Sequence, residues 1–417
     1  MIRVAYFSCQ MPYPATHGGL VDDWARLNAM KAAGADLALV TWYAEQGHGL
    51  PKEHVQALHT VASVVHILPI TGTWADRFKR LVRLVRWPSH VASRIPSAQA
   101  QREIWASLDK FKPQAVWLDA IYPIWMAHAA AKRYGVPIFY RSHNIEHRYM
   151  RGQVSRATSF RDRLAWSMNL PHLQRVEFDA WRHAEVAFDI SMDDLAWWRQ
   201  QGFDQGVWLP PLVHPDKASQ LSAPMLQAPA FDVAYLGNLR TPNNVEGLLW
   251  FLREVWPIVL RERKGARMLL AGSAPVQSIQ DAVAATHGVV LKANPPDVIP
   301  ILRDASVLVN PIFGGSGVNV KSVEMLFAPG RLVSSPQGVA GLPEQVRICF
   351  AVTQDARTFA QAVLQAIAGG ALQGPALDER ERARDQFDFK RATDVVRLMS
   401  ERCSAVAQAA ASSSRRQ

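Results

Sequence analysis

Cysteine is scarce in this 417-residue chain: Cys9, Cys349 and Cys403 are the only three, and none sits in a C-x-x-C pair. That excludes a disulfide framework and makes a reducing compartment the default expectation. No stretch approaches the roughly 18 to 20 uncharged apolar residues that span a bilayer, which excludes an integral membrane protein. The first residues, MIRVAYFSCQMPYPATHGG, lack the basic start, apolar middle and small-residue cleavage site of a secretion signal. Neither half carries a G-x-G-x-x-G fingerprint in the place a dinucleotide fold needs it, so a dehydrogenase is not expected. Acidic residues are in deficit, 36 against 46 Lys and Arg, which leaves a net charge of +10 and favours anionic partners. With 49% hydrophobic and 20% charged residues the chain is no disordered tail.

What is present is a repeated strand–helix alternation. Residues 2–8 (IRVAYFS) read as a buried strand, followed by a Pro/Gly loop. Residues 20–33 carry Leu20, Trp24, Leu27 and Met30 at helical spacing, Gly34 ends that pattern, and 35–42 read as the next strand. The alternation runs on through SVVHILPI, QAVWLDA and VPIFYRS. Five prolines in residues 209–230 mark a linker, after which FDVAYLG, ARMLLAG, GVVLKA, SVLVNPI and RLVSS repeat the pattern. Two doubly wound α/β domains are expected: residues 1–208, and residues 231–390 after the linker 209–230. Residues 391–417 should form a helix ending in a loose tail. The natural ligand site of such a pair is a cleft at the carboxyl ends of both sheets.

The richest motif is 307–342. A buried strand runs into Phe313-Gly314-Gly315-Ser316-Gly317, and a helix begins near Val318. Glycines let backbone amides approach an anion, and the helix start favours negative charge. Lys321 would add a cation to a diphosphate, and Glu324 would accept two hydrogen bonds from a ribose diol. A tight turn with a solvated Lys and Glu is the plain alternative.

This segment resembles the donor-binding signature of GT-B glycosyltransferases of the retaining family-four type, with Gly315, Gly317, Lys321, Glu324, Gly330 and Val333 at its positions. Where relatives carry the first of two glutamates, this chain has Ser316. Residues 231–259 resemble the opening of that family's second domain, except that Asn238 and Asn243 stand where relatives place Arg and Lys. Gly237, Asn238 and Arg240 are the donor candidates there. The amino-terminal loop ending in His17-Gly18-Gly19 resembles the family's phosphate-approaching loop, and Gly18 and Gly19 join the donor set. Tyr140–His147 resembles its H-N-x-E segment, making His143 and Glu146 the catalytic candidates. The resemblance implies two Rossmann-like domains facing each other across a cleft. It also implies a nucleotide-diphosphate sugar as donor, a lipid-linked or envelope glycan as acceptor, and no cofactor or bound metal. Its setting would be the cytoplasmic face of the membrane, in exopolysaccharide or lipopolysaccharide assembly. A GT-B epimerase and a non-catalytic sugar binder share the architecture.

Residues 143–147 also spell H-x-x-E-H, a zinc-peptidase pattern, although His143 falls at a strand–helix junction. Residues 74–87 (WADRFKRLVRLVRW) form a basic amphipathic helix with Trp74, Phe78, Leu81, Val82 and Val85 on one face. This is the pattern of a helix lying on an anionic membrane. Trp74, Phe78, Arg80, Arg83 and Arg86 are the expected contacts, against an alternative in which the apolar face meets the core. No nucleic-acid module is recognisable.

Overall fold

The computed structural model describes residues 1–16, 18–44, 49–70, 73–157, 159–223 and 229–414. Two compact units divide it: Met1–Leu212 together with Phe389–Gln417, and Val213–Asp388.

The first unit is built on seven strands: β1 (Arg3–Ser8), β2 (Asp36–Ala44), β3 (Val64–Ile70), β4 (Ala115–Asp119), β5 (Ile138–Ser142), β6 (Ala184–Asp189) and β7 (Gly206–Trp208). They pair in parallel in the order β3-β2-β1-β4-β5-β6-β7. Near-continuous apolar strands are what a sheet covered on both faces requires. Alternate side chains supply two separate cores: Ala5, Phe7, Val116, Leu118 and Tyr140 enter one, while Val4, Tyr6, Trp117 and Phe139 enter the other.

The second unit holds β8 (Phe231–Asn238), β9 (Met268–Ser273), β10 (Val289–Ala293), β11 (Ala305–Asn310), β12 (Arg331–Ser334) and β13 (Phe350–Val352). These too are parallel, in the order β10-β9-β8-β11-β12-β13. In each sheet the strand order reverses beside the first strand, β1/β4 in one and β8/β11 in the other. Ligands of open α/β sheets gather beyond the carboxyl ends of strands at such a reversal.

Both sheets are therefore as the sequence predicts, while the segments around them differ in detail. The expected linker is not featureless: Leu209 and Leu212 are buried, and Pro215–Ser222 is a helix with Pro at its start and Leu221 buried. Proline at that position forfeits no helical hydrogen bond. The helix expected from residue 391 runs from Lys390 to Ser414, its Ala-rich end being favourable for helix, and the last three residues of the expected tail lie outside the described residues. Its Ala392, Val395, Val396 and Met399 recur at helical spacing and pack into the core beneath β1 and β2. This is why it counts with the first unit rather than standing apart. The helical stretch that begins at Pro242 continues through Pro257 to Glu262. A π-turn over Phe251–Val255 lets the Trp256 amide reach Phe251 before Pro257 opens the next helical stretch, Trp256–Glu262.

Candidate functional site

In the second unit the donor candidates converge where β8 and β11 end. Gly247, in the Pro242–Trp250 helix, allows that convergence, since a Cβ there would lie 1.9 Å from the Pro311 carbonyl. Beyond β11 the backbone turns through Gly315 (φ +131°) and Gly317 (φ +64°), conformations that favour glycine. The Val320–Phe327 helix follows, and its cap residue Asn319 makes no side-chain cap bond. Lys321 lies in its first turn. The ammonium donates to Tyr235 Oη (2.8 Å), Asn310 Oδ1 (3.1 Å) and Asn244 Oδ1 (3.3 Å), and sits 4.2 Å from the Tyr235 ring centre. Loss of water around it pulls its pKa down to about 7, opposed by Glu324. Asn310 is locked in turn, because its Nδ2 donates to Ser322 Oγ (2.8 Å), which donates to the Gly338 carbonyl (2.6 Å).

Glu324 does not stand open for a diol, because Lys217 donates to its Oε1 at 2.5 Å. Asn238 folds back, its Oδ1 accepting from the Arg240 amide (2.9 Å), which leaves the Arg240 side chain on the exposed surface. Gly237 is required for space: a Cβ would fall 2.6 Å from Tyr235 Oη, the oxygen that Lys321 holds. Ser316 is exposed in the same turn. Gly330 admits the chain against the Ala305 carbonyl, 2.6 Å from where a Cβ would be, and Val333 is core.

In the first unit His143 follows β5 directly. Its Nε2 lies 2.7 Å from Asp119 Oδ1, at the carboxyl end of β4, and its Nδ1 lies 3.7 Å from Asp22. Behind it is a buried ionic cluster. Arg26 bonds Asp22 (2.6 Å), Asp23 (3.2 Å) and, by a short contact, Asp119. Arg141 donates to Asp22 (3.0 Å), and Tyr6 Oη, with one hydrogen to donate, lies 2.5 Å from Asp23 and 2.7 Å from Asp119. Burial drives the carboxyls up, but Arg141 and Arg26 at Asp22, and Arg26 and His143 at Asp119, outweigh it and hold both low. Asp23 goes the other way, to about 7, through burial and the neighbouring Asp119 charge. Two carboxylates thus face two guanidiniums, beside a third carboxyl whose charge burial and Asp119 disfavour.

Glu146 is buried rather than on the surface. Tyr122 Oη donates to its Oε2 (2.9 Å), and burial together with Glu177 pushes its pKa up to about 7. Ile145 caps the Glu146–Arg156 helix and makes no side-chain cap bond. Glu177 reaches across to accept from the Glu146 and His147 amides (2.6 and 3.2 Å) and contacts His147 Nδ1 (2.5 Å). His143 and His147 therefore attend different carboxylates, and the zinc-peptidase reading loses its shared ligand face. Among the described residues, the group of His, Asp and Glu side chains that does converge within 4.8 Å lies elsewhere, at His128, Asp179 and His183. Gly18 and Gly19 are not loop residues: they begin the Gly18–Ala32 helix, and His17 lies outside the described residues.

Residues 230–369 match the family model described as "Glycosyl transferases group 1". The second unit is a group 1 glycosyltransferase domain. The whole chain has the GT-B fold. Sucrose-phosphate synthase from Thermosynechococcus elongatus is similar at a TM-score of 0.63 and 14% identity, covering 97% of this chain and all of that one. Anabaena HepE, solved in complex with UDP and glucose, is similar at 0.58 and 12%, covering 96% of this chain and 100% of its own. A Klebsiella pneumoniae protein, described as an "Uncharacterized 44.6 kDa protein in cps region", is 24% identical over 354 residues, 82% of this chain and 84% of that protein.

In this glycosyltransferase the Trp74–Arg83 helix is turned inside out relative to the core-facing alternative. Its apolar side chains face solvent: Trp74 is 84% exposed, Val85 81% and Phe78 68%. Arg83, diametrically opposite at 100° per residue, is no surface contact. Its guanidinium donates to the Ala92 (3.1 Å) and Ile95 (2.9 Å) carbonyls and ties the helix down. Arg80 is half-buried and bears on His90 and Arg94, whereas Arg86 is exposed. Among the described residues no helix is long and apolar enough to cross a membrane.

Sequence reasoning missed Asp119, Asp22, Asp23, Arg26, Tyr6, Tyr235, Asn244, Asn310 and Lys217. The available signals were Asp22-Asp23 followed by Arg26 on the inward side of a helix, and polar residues closing the apolar strands AVWLD and ASVLVN.

Proposed function

We propose that this chain transfers a sugar, with retention, from a nucleotide-diphosphate sugar to a lipid-linked or cell-envelope glycan on the cytoplasmic membrane face. The observation that carries the reading is Lys321, an ammonium held by three neutral oxygens at the start of a helix, beside a glycine turn. A cation kept from water without a carboxylate on its nitrogen is poised to accept an anion. The diphosphate would take the Gly315–Gly317 amides, the helix start and Lys321, with exposed Arg240 swinging onto it. Stabilising the charge that grows on the departing diphosphate is the main catalytic contribution. Glu324 would meet the ribose by giving up part of its hold on Lys217.

In the first unit, Asp119 orients His143 toward the sugar or the acceptor hydroxyl. Glu146, its carboxyl pushed up to about 7 by burial and Glu177, would in its protonated form offer the acceptor a donor hydrogen. The acceptor oxygen bonds to the anomeric carbon as its bond to phosphate breaks, and the hydroxyl proton leaves on the phosphate. The basic helix with its apolar face to solvent supports the membrane setting. The cps-region relative supports an envelope polysaccharide as product.

Thermal shift with UDP-, GDP- and ADP-sugars tests the donor. A true donor at a hundred times its Kd stabilises the fold by about 2.7 kcal/mol. Lys321→Met should abolish that shift and, with Glu324→Ala, depress turnover. Donor binding in the parent should weaken as pH rises above 7, because Lys321 serves the diphosphate only in its ammonium form. Parental turnover in both variants would remove the site assignment.

A further inference from the structure

A second helix shares the inverted character. Phe160–Ser167 packs its half-buried Trp166 inward, while Phe160, Leu164 and, one turn on, Met168 lie in the stripe i, i+4, i+8. All three are exposed, Phe160 at 81%. Ser159 caps the start, its Oγ accepting from the Asp162 amide (3.0 Å), so the helix is a formed element and not a frayed loop. Arg161 and Arg163 flank the stripe, both exposed.

The segments that follow this helix and the Trp74–Arg83 helix are joined by three hydrogen bonds, none of them between the helices themselves. The Ser89 amide donates to the Met168 carbonyl (3.3 Å), the His90 amide donates to Asn169 Oδ1 (2.8 Å), and Arg175 Nη2 donates to the Arg86 carbonyl (2.7 Å). Two amphipathic helices, whose following segments are bonded to each other, thus both turn apolar stripes to solvent with guanidiniums alongside. Solvated monomers rarely leave so many large apolar side chains open in one region.

We infer that the Phe160–Ser167 helix and the Trp74–Arg83 helix form one docking surface whose occupant is an anionic bilayer interface. The charges select that occupant. Arg77, Lys79 and Arg86 on one element and Arg161 and Arg163 on the other outnumber Asp76 and Asp162, as headgroup phosphates require. Arg77 lies over the Trp74 ring (5.7 Å) and Arg86 over Trp87 (5.7 Å), so aromatic and cationic groups sit side by side, as they do at a headgroup boundary. Two short helices bury more apolar area than one, and reversible interfacial binding scales with that area. The inference extends the membrane setting proposed above to a segment that the basic helix alone does not predict.

The test is sedimentation of the full chain with phosphatidylcholine vesicles, with and without phosphatidylglycerol. The variants are Phe160→Ser/Leu164→Ser, Trp74→Ser/Phe78→Ser and Arg161→Glu/Arg163→Glu. Since all six side chains are exposed, parental melting temperatures are expected, as is parental hydrolysis of a soluble donor. Each apolar pair should lower the partition coefficient at least roughly tenfold, given what burying one such side chain contributes. The charge pair should lower it only on phosphatidylglycerol vesicles. Loss in Trp74→Ser/Phe78→Ser with parental binding in Phe160→Ser/Leu164→Ser would overturn the two-helix surface and leave the single-helix setting standing. Parental binding in both, or lipid-independent self-association abolished by both, would overturn the bilayer as occupant altogether.

Discussion

Glu146→Gln separates a stability role from a chemical one. The parent carboxyl moves from the usual 4.5 in the unfolded chain to about 7 when buried beside Glu177. For an acid raised in this way the sign is fixed. Its contribution is fully present below the unfolded value and is lost as pH rises through the folded value, because the native state holds a proton that the unfolded chain has released. Integrating between pH 5 and pH 8 gives a loss of about 2.5 kcal/mol. Glutamine keeps an acceptor for Tyr122 and never ionises, so the variant should gain on the parent by that amount across the same interval. For a unit of this size the gain is roughly 5 to 10 °C in melting temperature. Melts of both proteins at pH 5 and pH 8, followed by near-ultraviolet circular dichroism, read the difference directly. A gap between variant and parent that stays constant with pH would refute the argument, because the carboxyl would then be ionised throughout. If Glu146 also serves the acceptor, turnover falls in the variant while its high-pH stability rises, a combination that simple misfolding cannot produce.

Two further outcomes follow from the same geometry. Asp119→Asn removes the carboxylate that fixes His143, so kcat per folded molecule should fall by about 100-fold or more while KM for the donor holds. Steady-state kinetics with the identified donor measures both constants, and an unchanged kcat per folded molecule would mean that Asp119 acts only through folding. Gly247→Ala places a methyl 1.9 Å from the Pro311 carbonyl, which should cost the second unit about 1 to 3 kcal/mol. Urea unfolding reports it, and a neutral result would show that the Pro242–Trp250 helix is free to move away from β11.

The two sheets were legible because their strands are buried on both faces, and burial on both faces leaves apolar runs between glycine and proline punctuation. The glycine turn was legible for a related reason: a left-handed backbone at Gly315 and Gly317 restricts residue type, and restriction leaves a motif. The ionic cluster behind His143 left no such mark. Asp22, Asp23, Arg26 and Asp119 are spread over some hundred positions, and each alone passes for a solvated residue until the sheet order sets β1 beside β4. Lys321 was found, but its holders Tyr235, Asn244 and Asn310 were not, since no local spacing links them.

The Trp74–Arg83 helix shows where periodicity stops informing. An amphipathic pattern fixes that two faces differ, not which of them meets the protein. The deciding facts are tertiary: Arg83 is taken by the Ala92 and Ile95 carbonyls, so the face opposite must look outward. Phe160, Leu164 and Met168 carry the same ambiguity in a weaker stripe, and their exposure resolves it in the same direction. An apolar stripe that a folded unit turns away from its own core needs a second medium. On the two-helix surface inferred above, the arginines around both stripes would favour an anionic one, the condition a transferase acting on envelope lipids would meet.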